Sequence, residues 1–344
     1  MKSMHTSLSF IVCLSVLSPS EGAETPAPVR SAPLDSLAAD ISMLGFIPSG
    51  GEFLVLAASN GWFGLISEVR ITPVDAAGDD PSLGLLDGED TYYGTAPWSQ
   101  EGDIVLVTAP EHSCYPSGVP CSVIPGTTFS FVIMGFGRLV KPSVALGSPG
   151  LNVVDINPDS SGTLSLTLDD PGVYWVEVMQ HTDRGPSIEL LFPIVSGGNV
   201  NDVFSGSVPV PRSDASSSGE VLEEINGLRE SLSLPELQRD PVLDSLASIR
   251  AGNLALSGTL DHIDTETGSL EELLPERTGT YGENIGRGRG YQEAWSMIMT
   301  SPFHLQTCIS PEYARVGMAG AVETDDYRWQ LVLVQVFTYE GTGK

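Results

Sequence analysis

From about Glu52 to Val195 the chain alternates short apolar runs with Gly, Pro and Asp. The runs FLVLAAS, GLISEVRITPV, DIVLVTAP, TFSFVIMGF, TLSLTL, VYWVEVM and IELLFPIV are rich in Val, Ile, Phe and Thr. Branched and aromatic side chains in runs this short, bounded by turn residues, predict β-strands. No amphipathic helix of useful length interrupts them. Residues 45–196 are therefore expected to form an all-β antiparallel sandwich.

The pattern then changes. Residues 197–217, GGNVNDVFSGSVPVPRSDASS, carry too little apolar surface to order themselves and read as a linker. Beyond it, Val221, Leu222, Ile225, Leu228 and Leu232 fall at helical spacing. Asp240-Pro241 is a helix start, with Asp as cap and Pro in the first turn, and Val242, Leu243, Leu246, Ile249 and Leu254 follow. A further helix is expected over Tyr291–Met299, and paired strands over Arg315–Ala321 and Arg328–Phe337. Residues 218–340 thus read as an α+β domain with helices on both sides of a small sheet.

At the other end, Lys2 precedes an apolar run from Leu8 to Leu17 and then small residues up to Ala23. This is the plan of a secretory signal peptide over residues 1–23, too short to anchor in a bilayer. Residues 24–44, rich in Pro and Ala, read as a loose leader. The reading places the protein outside the cell, in the periplasm or at the cell surface. In such a compartment Cys114 and Cys121, which bracket YPSGVP, are expected to form a local disulfide. Cys308 is left to pack as a small hydrophobe.

Lys and Arg number 16 against 44 Asp and Glu, a formal charge of −28. Such a surface repels nucleic acid and anionic headgroups, so neither is an expected partner. No further stretch is long enough to span a membrane.

The chemistry-bearing residues cluster late. GTLDHID carries His262, YGENIGRG carries Glu283, SPFHLQTCISPEYARVG carries His304, and the chain closes on QVF. These motifs, in this order, resemble the CAP superfamily (cysteine-rich secretory protein, antigen 5 and PR-1; SCP-like) in its cysteine-poor bacterial form. The resemblance covers about residues 218–339. It implies a three-layer α-β-α sandwich and brings His262, Glu283 and His304 to one cleft. Leu305 and Thr307 depart from the Arg and Asn that follow the motif His. Val332 and Ile298 stand where eukaryotic members carry a second His and Glu. In the first domain, Asp170-Pro171-Gly172-Val173-Tyr174-Trp175-Val176 resembles the tyrosine-corner run of immunoglobulin-like domains.

Two imidazoles and a carboxylate could hold Zn or another divalent cation, with His262, Glu283 and His304 as ligands. The alternative, which the long spacing favours, is a hydrogen-bonded cluster ordered by the carboxylate. Hydrolysis would use a His as general base with Glu283 fixing its tautomer; no G-x-S-x-G elbow is present. Gly286 to Gly290, GRGRG, reads as a mobile basic loop, with an anion site at the next helix as the alternative. Asp155, Asn157 and Asp159 read as an Asx-rich turn rather than a calcium loop. His112 and His181 stand alone. The expectation is an exported, non-enzymatic binding module whose polar cleft takes a lipid, peptide or envelope component. The alternative is a hydrolase acting on envelope, peptide or lipid substrates.

Overall fold

A computed structural model describes residues 9–12, 29–64, 66–73, 92–98, 103–110, 112–183, 185–258, 260–264, 268–274, 281–325 and 328–339. The first elements are β1 (Ser9–Val12), β2 (Val29–Arg30), α1 (Ala32–Leu44), α2 (Gly50–Ser59), β3 (Ile66–Pro73), β4 (Tyr92–Pro97) and β5 (Asp103–Ala109). The strands make one sheet in the order β1-β3-β5-β4-β2. β1 comes from the apolar run expected as the core of the export signal; the rest of residues 1–23 lies outside the described residues.

The expected loose leader contains α1. A Pro in its first turn and a left-handed Gly45 at its end punctuate the helix. Leu34, Leu37, Ala38 and Ile41 are fully buried. That spacing is one helical stripe, which a Pro/Ala-rich composition concealed.

FLVLAAS, expected as a strand, lies in α2. Phe53 to Ala58 are all buried. The helix touches the sandwich strand at Gly185–Ser196 on one side and the helix at Tyr291–Thr300 on another. An element covered on every side shows no periodicity, so apolar length alone could not separate strand from helix.

The sandwich follows: β6 (Tyr115–Ser117), β7 (Ser122–Val123), β8 (Thr128–Met134), β9 (Ser143–Gly147), β10 (Val153–Asp155), β11 (Thr163–Thr167), β12 (Gly172–Thr182) and β13 (Gly185–Ser196). A five-stranded sheet β10-β9-β12-β13-β7 faces a three-stranded sheet β11-β8-β6. Tyr174, Val176 and Val178 of β12 pack with Phe131, Ile133, Leu164 and Leu166. The alternate residues Val173, Trp175 and Met179 pack the other way, into a core shared with α1, α2 and Met297. Burial on both faces explains why apolar residues occupy both alternating sets of positions in β12, with Glu177 the exception. Asp170 N–H donates to the Tyr174 hydroxyl at 3.2 Å. The region is not all-β and antiparallel as expected, because α1 and α2 fold into it and β2/β4 and β7/β13 pair parallel.

Cys114 and Cys121 are unpaired. Cys114 is buried in the sandwich core, just before β6, which belongs to the three-stranded sheet. Cys121 is exposed beside β7 of the opposite sheet, and its thiol donates to Ala58 O. The six residues between them cross from one sheet to the other, so sequence proximity does not become thiol proximity.

The expected linker is docked. It contains α3 (Val200–Phe204), whose start is closed by a capping box of Asn199 and Asp202. Val203, Val210 and Ala215 are buried. Apolar residues too few to make a core of their own were enough to fix the segment on its neighbours.

The second domain contains α4 (Ser218–Ser231), β14 (Gln238–Arg239), α5 (Pro241–Ser257), β15 (Ile263–Asp264), β16 (Gly268–Ser269), α6 (Leu270–Leu273), β17 (Tyr281–Gly288), α7 (Tyr291–Thr300), α8 (Pro302–Ile309), β18 (Arg315–Asp325) and β19 (Arg328–Thr338). Its main sheet runs β14-β18-β19-β17. On one face Leu243, Ala247, Ala251 and Leu254 of α5 meet Ile285, Val332, Val334 and Val336. On the other, Val221, Ile225, Trp295, Ile298 and Cys308 meet Met318, Leu331, Leu333 and Phe337. Among the described residues no helix is long and apolar enough to cross a membrane.

Gly317 lets α5 lie directly on β18. A Cβ there would stand 2.1 Å from the Leu243 carbonyl carbon and 2.2 Å from Asp244 N. Backbone cannot yield as a side chain can, so Gly317→Ala is expected to lower stability by about 1–3 kcal/mol or more. A thermal melt beside wild type measures this.

Candidate functional site

α5 supplies the first part of the site. Asp240 caps it by accepting from Val242 N–H and Leu243 N–H at 2.9 and 3.4 Å. The helix then carries Arg250 on its core-facing side, between Ala247 and Ala251, with no exposure to solvent. Arg250 Nε donates to Glu283 Oε1 at 2.9 Å and Nη2 to Glu283 Oε2 at 3.1 Å. The same guanidinium donates to His262 O at 2.9 Å and Gly268 O at 3.2 Å, holding the irregular segment after α5. Arg250 thus ties a helix, a loop and a strand to one carboxylate.

Glu283 sits on β17, paired with Val336 of β19. His262 Nδ1 lies 2.9 Å from Glu283 Oε2. Burial alone would raise the Glu283 pKa; hydrogen bonds and charge from His262 and Arg250 outweigh it and hold the carboxyl below its ordinary range. Asn284, the next residue of the G-E-N motif, is fully buried and points to the other face. Its amide donates to His304 O at 3.0 Å and Gln335 Oε1 at 3.1 Å. The G-E-N and Q-V-F motifs therefore hold α8 against the sheet.

α8 begins at Ser301, whose hydroxyl accepts from His304 N–H at 3.2 Å, with Pro302 in the first turn. His304 Nδ1 is enclosed and has no hydrogen-bond partner. Burial, with a smaller contribution from the neighbouring His262, pushes the imidazole down to about 3, against a partial opposing pull from Glu283. The ring is neutral at physiological pH. A bare acceptor is better tolerated in the interior than a bare N–H, which favours the tautomer carrying its proton on Nε2.

His262, Glu283 and His304 line one cavity of about 130 Å³, together with Asn284, Thr307 and an apolar side that includes Met179, Ile188, Leu260 and Phe303. The three residues singled out in the sequence are thus brought together. Arg250 was missed. Its signal was a charged residue at a core position of an otherwise apolar helical face. Arg229 on α4 carries the same signal: fully buried, it donates to the carbonyls of Pro235, Cys308, Ser310 and Tyr313. It ties the loop after α8 in place.

The donor set does not suit a divalent cation. Both Glu283 oxygens already accept from a guanidinium, whose charge opposes a second cation. His304 lacks the hydrogen bond on its far nitrogen that orients a metal-ligating imidazole. Among the described residues no cluster of three or more His, Cys, Asp or Glu has ligating geometry.

The other candidates resolve structurally. Gly286 to Gly288 end β17 and Arg289 and Gly290 lead into α7, and ion pairs hold the segment: Arg287 with Glu323 at 3.2 Å and Arg289 with Glu293 at 3.1 Å. Glu293 also accepts from Arg289 N–H at 2.7 Å, filling the place an anion would take at α7. Asp159 accepts from Ser161 N–H and Thr163 N–H in an Asx turn. Cys308 is buried, which raises its thiol pKa and leaves it inert. His181 bonds Ser143 and His112 packs on Trp62.

The family model of the cysteine-rich secretory protein family (CAP) matches residues 222–337. This segment is a CAP domain. Solved structures similar to the chain include an outer surface protein from Borrelia burgdorferi, 21% identical, covering 35% of this chain and 89% of that one, with a TM-score of 0.32. A second is an extracellular protein containing a SCP domain from Bacillus anthracis, 14% identical, covering 52% and 64%, with a TM-score of 0.32. A third is a cysteine-rich secretory protein from Staphylococcus aureus, 12% identical, covering 72% and 83%, with a TM-score of 0.27. No curated protein matches the chain. The CAP domain thus contains His262, Glu283 and His304, and the sandwich side chains that share their cavity lie outside it.

Proposed function

We propose that this is an exported protein whose CAP domain binds an extracellular ligand without turning it over. The supporting observation is the pairing of Glu283 with Arg250: the carboxylate is neutralised and fixed, and so serves recognition better than proton transfer. His304, neutral and too weakly basic to take a proton near pH 7, offers a hydrogen bond instead. On this reading the export signal directs the chain out of the cytoplasm, the CAP domain is a three-layer α-β-α sandwich, and the first domain is an immunoglobulin-like interaction module. The ligand is a lipid, peptide or envelope component.

One observation favours a second reading. The His262–Glu283 contact at 2.9 Å has the form of a base with its orienting carboxylate, which a hydrolase of envelope, peptide or lipid bonds would use. Native mass spectrometry of the full chain purified from the culture medium or periplasm separates the two. The expected result is a co-purifying small molecule on wild type that is absent from His304→Ala. Hydrolysis of an envelope extract by wild type, abolished in folded Glu283→Gln and His262→Ala, would establish the enzyme instead.

A further inference from the structure

The cavity at His304 is not built by the CAP domain alone. Met179 on β12 and Pro186 and Ile188 on β13 form part of its lining. The turn of that hairpin reaches the site: a Cβ on Gly185 would stand 3.1 Å from His262 Cβ, at a φ of +101° that only glycine adopts readily. Phe303, which lines the cavity, also packs on the core that α1, α2 and β12 share. Two residues before Met179, the fully buried Glu177 reaches across to α8. It accepts from the Ser301 hydroxyl at 2.8 and 2.9 Å and from Phe303 N–H at 2.9 Å. His304 is the next residue of that helix, and the same Ser301 hydroxyl accepts its N–H. One carboxylate from the sandwich therefore fixes the start of the helix that presents His304.

The geometry points to a composite site: the β12–β13 hairpin is the selectivity wall of the CAP cleft, and Glu177 is the residue that positions it. The hairpin contributes apolar side chains and the CAP domain the polar ones, beside Leu260, Ile285 and Phe303, so the site takes a small amphiphile or one terminal group of a larger ligand. The polar end faces His262, Glu283 and His304, and the apolar end faces Met179 and Ile188. The docked hairpin bounds this cavity of about 130 Å³ on its apolar side. The hairpin therefore sets how much of a larger ligand the cleft admits, so the sandwich domain decides what the CAP domain can hold.

This inference rests on reading the cavity as the working site, but its test measures access to His304 rather than ligand binding, so either can fail alone. Diethyl pyrocarbonate is a small reagent that acylates neutral imidazole. Its rate at each histidine of the full chain is read by peptide mass spectrometry, with exposed His181 as internal reference. Glu177→Ala is expected to raise the His304 rate relative to His181 by about tenfold or more, since opening of the docked hairpin is a local equilibrium. Glu177→Gln, which keeps an acceptor for Phe303 N–H and a partner for Ser301, should stay near wild type. Gly185→Ala, which forces the turn off His262, should raise the rate as well. If Glu177→Ala fails to fold by near-UV circular dichroism, Gly185→Ala and a Met179→Ala/Ile188→Ala double variant decide the matter. A His304 rate unchanged in every folded variant, with the hairpin in place or displaced, overturns the proposal.

Discussion

Replacing Arg250 by Met is expected to destabilise the CAP domain by about 3–5 kcal/mol, because it strands a buried carboxylate. Glu283 is only 5% exposed and Arg250 not at all. In wild type the guanidinium satisfies both carboxylate oxygens and three backbone carbonyls, of Asp261, His262 and Gly268. Met fills much of the volume but donates nothing. The carboxylate keeps only His262, and burial then raises its pKa. Urea unfolding, followed by far-UV circular dichroism and the buried Trp295, gives the change. The double variant Arg250→Met/Glu283→Leu removes the stranded charge and is expected to recover about 2 kcal/mol or more of that loss. A loss under about 1 kcal/mol in the single variant, below the usual cost of one unsatisfied buried group, would mean that Arg250 does not hold the site together.

The success and failure of the sequence reading share one physical basis. Positions whose neighbours lie close in sequence were readable: Asp240-Pro241 starts a helix because a cap acts within one turn. The motifs around His262, Glu283 and His304 were readable because their order along the chain resembles that of the CAP family. What failed depended on packing between distant segments. α2 is apolar all round because it lies between two domains, so its pattern matched a buried strand equally well. Residues 197–217 looked like a free linker, yet Val203 and Val210 dock on a core that other segments supply. Cys114 and Cys121 were placed in a local loop, whereas the chain between them crosses from sheet to sheet. Three signals were present and unused. Arg229 and Arg250 occupy core positions of helical faces, and Glu177 interrupts the apolar run VYWVEVM. A charge where the pattern demands an apolar residue marks a long-range partner, and each of these three has one.

Raising the pH from about 5 to 8 is expected to weaken the folded protein through Glu177, and Glu177→Gln should abolish that contribution. Burial pushes the Glu177 carboxyl up to about 7, with Phe303 N–H and the Ser301 hydroxyl pulling it partly back. Between the ordinary carboxylate range and pH 7 the folded chain holds a proton that the unfolded chain has released. Stability therefore falls as pH rises through this window and levels off above it. The full effect is about 3 kcal/mol, from roughly two and a half pH units at 1.36 kcal/mol each. Glu189, raised by burial in the same sandwich, contributes in the same direction. His304 acts oppositely: its depressed pKa means that the unfolded chain takes up the proton first, so its contribution falls as pH drops from 6.5 toward 3. The wild-type curve mixes these slopes, and the difference between wild type and Glu177→Gln isolates one. The amide mimics the protonated acid, with its oxygen accepting from Phe303 N–H and its NH₂ donating to Ser301. The two proteins should be nearly equal at pH 5, and the variant more stable by about 2–3 kcal/mol at pH 8. Parallel curves across that range would mean that Glu177 is already ionised in its buried place, with its charge carried by the N-terminus of α8.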